Sequence, residues 1–155
     1  MQVSGPNTGI LILATAALAY VFAKVEIQIE GRNGWAMGLP TWRIERHKLL
    51  DMFFGGRPLT GYHAWMLPFM LLIFHFPAIV TWTWSWALEA RMLAAMIIFW
   101  ILEDILWFLL NPAWGLRKFR PGSEMWHKRW FLWLPVDYWL FGVVATVLLW
   151  VAHPH

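Results

Sequence analysis

Four long apolar stretches constrain the fold of this chain more than any other feature. They cover about residues 10–29, 63–82, 86–110, and a last stretch that begins at either 130 or 135 and ends at 150. A bilayer core is about 30 Å thick, so a helix that crosses it needs about 20 mainly apolar residues. Within lipid, a helix also satisfies its own backbone hydrogen bonds. The sequence therefore predicts an all-α integral membrane protein, with four transmembrane helices forming a single domain over residues 1–155.

The composition excludes several other classes of protein. A water-soluble domain carries about 25% charged residues, whereas this chain has 14% charged and 60% hydrophobic residues. Such hydrophobicity also excludes intrinsic disorder. Twelve Lys and Arg against nine Asp and Glu leave a net charge of +3, which is too small for a nucleic-acid-binding face. Because the chain has no cysteine, disulfides and thiolate chemistry are excluded as well.

The positions of the basic residues predict the orientation of the chain. Six Lys and Arg lie between Lys24 and Arg57, and five lie between Arg117 and Arg129. The remaining one, Arg91, follows the second apolar stretch. Because cytoplasmic loops retain Lys and Arg, loops 30–62 and 111–130 are predicted to be cytosolic and both termini to lie outside. We expect a multi-pass protein of a prokaryotic inner or cytoplasmic membrane.

The first cytosolic loop contains an amphipathic segment over about residues 42–54. On a helix its two faces would differ sharply. One face would be apolar, with Trp42, Leu49, Leu50, Met52 and Phe53, and the other polar, with Arg43, His47, Lys48 and Asp51. This pattern predicts a helix that lies on the cytosolic surface of the membrane, against anionic lipids.

Acidic and imidazole side chains are concentrated in the cytosolic half of the predicted spans. Glu103 and Asp104 lie about 10 Å from the cytosolic end of the third span, where a charge costs about 3 kcal/mol. The others in this half are Glu26, Glu30, His63, His127 and Asp137. Residues 25–30 also alternate between apolar and polar, which leaves open whether they are helical. We predict a shared pocket in which these groups meet.

The residue types in this predicted pocket favour two kinds of chemistry. Acid–base catalysis would use Glu103, Asp104, His63 and His127. A divalent metal ion, the predicted cofactor, would be bound by Glu26, Glu30, Glu103, Asp104, His63 and His127. The structural alternative is that Glu103 and Asp104 form salt bridges to a basic residue such as Arg117 or Arg43.

Further residues are candidates for binding a substrate. Arg57 and Arg117 would hold an anionic head group, and Trp100 and Trp107 would line the apolar part of the pocket. Asn111 and Asp137 complete the predicted substrate-binding set. His75 lies in the outer half of the second span, where we expect a hydrogen bond to a neighbouring helix rather than haem ligation.

The segment Glu103-Asp104-Ile105-Leu106-Trp107-Phe108 resembles the pattern of an acid pair followed by aromatic residues in the small membrane-spanning type of carotenoid (lycopene) cyclase. The likeness covers six residues of one helix, and Ile101-Leu102 stands where that family has a proline just before the acids. The resemblance implies acids that assist proton-driven ring closure of an isoprenoid. No residue roles are transferred from it.

The leading functional hypothesis is a membrane-embedded enzyme with a cytosol-facing site that acts on a lipid or isoprenoid-like molecule. The first alternative is a small structural or accessory membrane subunit, as a homo-oligomer or part of a larger membrane complex, whose acids form salt bridges. The second alternative is a conduit for protons or ions. The expected partners are membrane lipids and the lipid-like substrate, without nucleic acid.

Overall fold

The computed structural model describes residues 7–45, 57–123 and 127–153. These residues form four helices and two short antiparallel ribbons. The helices are α1 (Thr8–Glu30), α2 (Gly61–Thr81), α3 (Trp86–Leu110) and α4 (Val136–Val151). One ribbon pairs β1 (Arg43–Ile44) with β2 (Leu59–Thr60), and the other pairs β3 (Trp130–Phe131) with β4 (Leu134–Pro135).

The helices lie at the predicted apolar stretches. Helices α1, α2 and α3 are long and apolar enough to cross a membrane. Helix α1 continues through Glu30, so residues 25–30 are helical despite their alternation. Helix α4 has 16 residues, a length of about 24 Å, and starts just after Pro135. The start at residue 130 is therefore wrong, because Trp130 pairs with Pro135 in the second ribbon.

Helix α3 is the centre of the bundle and contacts α1, α2 and α4. Small residues of α1 lie against it. Thr15, Ala19 and Ala23 of α1 are buried at four-residue spacing, and Ala19 and Ala23 belong to the same buried clusters as Phe99 and Phe108 of α3. Since apolar side chains gain little by leaving lipid, such van der Waals packing, with small residues on one helix, holds the two helices together.

The predicted amphipathic helix over about residues 42–54 falls mostly on residues 46–54, which lie outside the described part of the chain. At its start, however, Arg43–Ile44 pair with Leu59–Thr60, and the Gly61 amide donates to the Trp42 carbonyl over 2.9 Å. The backbone around Trp42 is thus extended because it is hydrogen-bonded to the segment that leads into α2, so no helix begins there.

Gly61 is the tightest point of this junction, and it gives a first prediction. A Cβ atom at position 61 would lie 2.7 Å from Nε1 of Trp42, which is closer than real Cβ contacts. Replacing Gly61 by Ala is expected to lower the free energy of unfolding by about 1–3 kcal/mol. Gly142→Ala is the control, because Gly142 lies within α4 with no atom near its Cβ position. Chemical unfolding in detergent checks both; equal stability of the two variants would contradict the prediction.

Candidate functional site

Sequential helices of this bundle run in opposite directions, so the end of α1, the start of α2, the end of α3 and the start of α4 lie at the same end. All seven predicted acids and imidazoles interact with groups from another segment of the chain there. Together with two tyrosines, the groups at this end form what we call the carboxyl–imidazole cluster: Glu26, Glu30, Tyr62, His63, Glu103, Asp104, His127, Asp137 and Tyr138. The predicted convergence is therefore present among the described residues.

Glu26 and Glu103 form the buried centre of the cluster. Their exposed fractions are 7% and 4%, and among the described residues Oε1 of Glu103 is buried without a hydrogen-bond partner. The Tyr62 hydroxyl donates to Oε1 of Glu26 over 3.0 Å. Burying a carboxylate without a charge partner is costly, and protonation removes that cost. The buried pair is therefore a place where a carboxyl group can hold a proton.

Glu30 and His63 form the α1–α2 side of the cluster. One carboxylate oxygen of Glu30, Oε1, accepts from the Ala36 amide over 2.6 Å and lies 3.9 Å from Nε2 of His63. The other ring nitrogen of His63, Nδ1, is 2.7 Å from Oγ1 of Thr60, the residue that caps α2. The His63 ring also packs on Trp35, with 4.4 Å between ring centroids. These contacts fix the orientation of the imidazole at the start of α2.

His127 joins α3 to α4 on the other side of the cluster. Its Nε2 is 2.8 Å from Oδ2 of Asp104, and its Nδ1 is 3.5 Å from Oδ2 of Asp137. The Tyr138 hydroxyl donates to the same Asp104 oxygen and lies 3.3 Å from Nε2 of His127. Both ring nitrogens thus face carboxylates, and only the charged imidazolium can donate from both.

This arrangement predicts how His127 titrates. Burial disfavours the imidazolium, but the hydrogen bonds and charges of Asp104 and Asp137 outweigh it and raise the pKa of His127 above its usual 6.5. The pairing of the His127 imidazolium with the two carboxylates therefore stabilises the fold at pH values below the pKa of His127 in the unfolded chain. This stabilisation is lost as the pH rises through the higher pKa of His127 in the folded protein. NMR of histidine-labelled protein is expected to show one imidazole that titrates above 6.5 and whose signal is missing in His127→Gln; titration at or below that value would contradict this.

The remaining predicted binding residues have mainly structural contacts. Asn111 follows the last residue of α3, and its side-chain amide donates to the Gly31 carbonyl over 3.0 Å. Trp107 is buried among Ala23, Ile27 and Phe108, and Trp100 packs on Phe22 and Phe99.

The predicted basic residues lie towards the edge of the site or away from it. Arg57 stacks on Trp35 at 5.5 Å, close to His63. Arg117 is exposed. Arg43 donates to the carbonyls of Ala36 and Thr41. Among the described residues, the ion pairs within 4.0 Å join histidines to carboxylates, a pattern that differs from the predicted salt bridges of Glu103 and Asp104 to arginine.

The predicted metal centre has no matching arrangement in the described ranges. Within 7–45, 57–123 and 127–153, no group of three or more His, Asp or Glu side chains is placed to hold a metal ion. A metal ligand must offer a free lone pair, whereas both nitrogens of His127 face carboxylate oxygens. The divalent metal stays a prediction, which elemental analysis of the purified protein checks.

Tyr62 and Tyr138 were not among the predicted site residues, although each donates to an acid of the cluster. A signal for them exists in the sequence. The chain has three tyrosines against 14 tryptophans, and these two stand at the starts of α2 and α4, within one residue of His63 and Asp137. Rare hydroxyl-bearing rings beside ionisable residues at a span end could have marked both.

A smaller polar group occupies the opposite end of the bundle. Nε2 of His75 is 3.2 Å from Oε1 of Glu89, and the Trp84 indole donates to the other Glu89 oxygen over 3.2 Å. The expected hydrogen bond from His75 to a neighbouring helix is therefore confirmed. An apolar layer of Ala19, Met70 and Phe99, packed against Phe22, Phe74 and Trp100, lies along the bundle between the two ends.

No protein-family model, no curated protein and no solved structure matches the chain.

Proposed function

We propose that this protein is a membrane-embedded enzyme that transfers protons to and from carbon atoms of a lipid or isoprenoid-like substrate. One observation carries the proposal: the Tyr138 hydroxyl donates to Asp104 beside His127, and the same tyrosine lines an apolar groove between α3 and α4. A chain of proton-holding groups thus reaches a surface where a hydrophobic molecule can bind.

Three apolar helices support the membrane location. The surface of the bundle is strongly apolar as well, with large exposed side chains on α2 such as Leu72, Phe76 and Val80. Surfaces of this kind contact lipid or another protein. We place four spans in the membrane with both termini outside, because the Lys and Arg residues concentrate in the two loops on the side of the cluster.

The proposed proton route runs from His127 to the groove. In this step the hydroxyl proton of Tyr138 leaves its hydrogen bond with Asp104 for the substrate carbon, and the phenolic oxygen takes the Nε2 proton of His127, which becomes neutral. The substrate gains one positive charge and His127 loses one, so charge and protons balance. Loss of a proton by the substrate along the same route in reverse restores the imidazolium. General acid–base groups of this kind contribute about 10²–10⁴ to a rate.

A proton held by the buried pair Glu26 and Glu103 would give the cluster a second source of protons next to Asp104. Among the described residues, the ion pairs within 4.0 Å join histidines to carboxylates, and none of them includes Glu26 or Glu103. A purely structural role would favour a charge partner or an apolar residue at this depth. This arrangement supports the enzyme over the accessory subunit.

The arrangement of the core also supports the enzyme over a conduit. Glu89 and Glu103 are 14 residues apart on α3, which corresponds to about 21 Å. The layer of Met70, Phe99 and Trp100 lies along this distance, and a proton or ion needs polar groups or water to cross it. A conduit therefore lacks a polar path among the described residues.

The proposal is tested by deuterium incorporation from solvent. Full-length protein is reconstituted with lipids extracted from its native membrane, incubated in D₂O buffer, and the lipids are returned to H₂O before mass spectrometry so that only carbon-bound deuterium remains. We expect one lipid class to gain deuterium with the wild type and not with Glu103→Gln. Glu89→Gln is the matched control, since it removes an acid at the other end of the same helix. Equal spectra with and without protein would overturn the proposal.

A further inference from the structure

The groove between α3 and α4 has the features of a binding site for one hydrocarbon chain. It has a volume of about 490 Å³, within the range of about 300–1,000 Å³ for small-molecule sites. Apolar side chains dominate its walls, including Ile101 and Ile105 of α3 and Val143 and Val147 of α4. An elongated apolar molecule is the ligand that such walls recognise.

Polar groups in this groove are few, and one of them is directed into the cluster. Thr146 donates its hydroxyl to the Gly142 carbonyl over 2.8 Å, so its polar atom is satisfied within α4. Tyr138 lies at the end of the groove nearest the start of α4, where its hydroxyl contacts Asp104 and His127. A chain seated between the helices would therefore have one terminus beside these groups.

We propose that the α3–α4 groove binds a single acyl or isoprenoid chain of a membrane lipid and places its reactive end at Tyr138. The inference deepens the proposed function, because it names the path by which the substrate reaches the cluster. Gly142 is part of this path: it lines the groove, and a Cβ at this position would meet no atom within 4 Å.

The open space at Gly142 makes a clean test possible. Gly142→Phe fills the groove without a backbone clash, since Gly142 has an ordinary helical conformation. Leu140→Phe is the matched control, because Leu140 is on the same helix, is exposed, and does not line the groove. Both variants are purified as full-length protein and reconstituted in phosphatidylcholine vesicles whose acyl chains carry a photoactivatable diazirine.

Cross-linked residues are then mapped by peptide mass spectrometry. In the wild type and in Leu140→Phe, we expect labels on Ile101, Ile105 and Val143 to exceed those on the exposed α2 residues Leu72 and Val80. Gly142→Phe is expected to reduce the groove labels severalfold, because the ring occupies the space in which the chain would lie, and to leave the α2 labels unchanged. Groove labels no stronger than those on α2, or groove labels that persist in Gly142→Phe, would overturn the inference.

The two proposals fail in different ways. Strong groove labelling without deuterium incorporation would keep the chain-binding site and remove the enzymatic activity. Deuterium incorporation without groove labelling would keep the activity and show that the substrate enters elsewhere, which removes the α3–α4 path.

Discussion

Replacing Asp104 by Asn is expected to lower the rate of deuterium incorporation into lipid by about 10²–10⁴-fold. The reason is that Oδ2 of Asp104 accepts from both His127 and Tyr138. An amide at this position has no negative charge to stabilise the imidazolium. Its NH₂ group is also a donor, whereas His127 and Tyr138 both need an acceptor there. The proton would therefore be lost from His127, and Tyr138 would lose the partner that orients its hydroxyl. Reconstituted protein in D₂O gives the measurement.

Asp137→Asn is the control for this variant. Its carboxylate also faces His127, but at 3.5 Å and with 61% of the side chain exposed, so solvent screens its charge. We expect less than roughly a tenfold loss of rate from Asp137→Asn. An Asp104→Asn variant that folds and retains the wild-type rate would show that the His127 contact is only structural.

The largest effect on stability is expected from Phe108→Ala. The Phe108 side chain is fully buried and packs against Trp107, Trp114 and Phe119. Removing a buried aromatic ring leaves a cavity and costs about 3–5 kcal/mol. Chemical unfolding of the purified protein in detergent measures the difference from the wild type.

Leu109→Ala is the neighbouring control, since Leu109 is 38% exposed on the same helix. Its loss is expected to stay below about 1 kcal/mol, because an exposed side chain leaves no cavity. If Phe108→Ala unfolds at the same denaturant concentration as Leu109→Ala, the aromatic contacts of α3 with the 111–119 segment do not stabilise the bundle.

The positions of the helices could be predicted because length and hydropathy act along the chain. An apolar run of about 20 residues is informative by itself, and Pro135 marks a place where a helix can start. The first ribbon could not be predicted in the same way. Arg43–Ile44 belongs to a segment with the pattern of an amphipathic helix. Only its pairing with Leu59–Thr60, which lies further along the chain, makes it extended.

The convergence of the acids also followed from the sequence, since antiparallel spans place residues such as Glu30 and His63 at one end. Their pairing did not follow. Which side chains meet depends on the rotation of each helix about its axis, and the small residues of α1 that set this rotation, such as Ala19 and Ala23, look like any other apolar residue in a hydropathy pattern. The sequence therefore predicted which residue types lie at this end, but not the carboxyl, hydroxyl and imidazole hydrogen bonds that join them.

The central claim is that buried carboxyl groups from separate helices meet and that at least one of them holds a proton at neutral pH. Infrared spectroscopy tests this directly, because the C=O stretch of an un-ionised carboxylic acid is distinct from that of a carboxylate. At neutral pH we expect such a band in the wild type, shifted or removed by Glu26→Gln and by Glu103→Gln, and unchanged by Glu89→Gln. A wild-type spectrum without the band, or a band that neither substitution alters, would contradict the account.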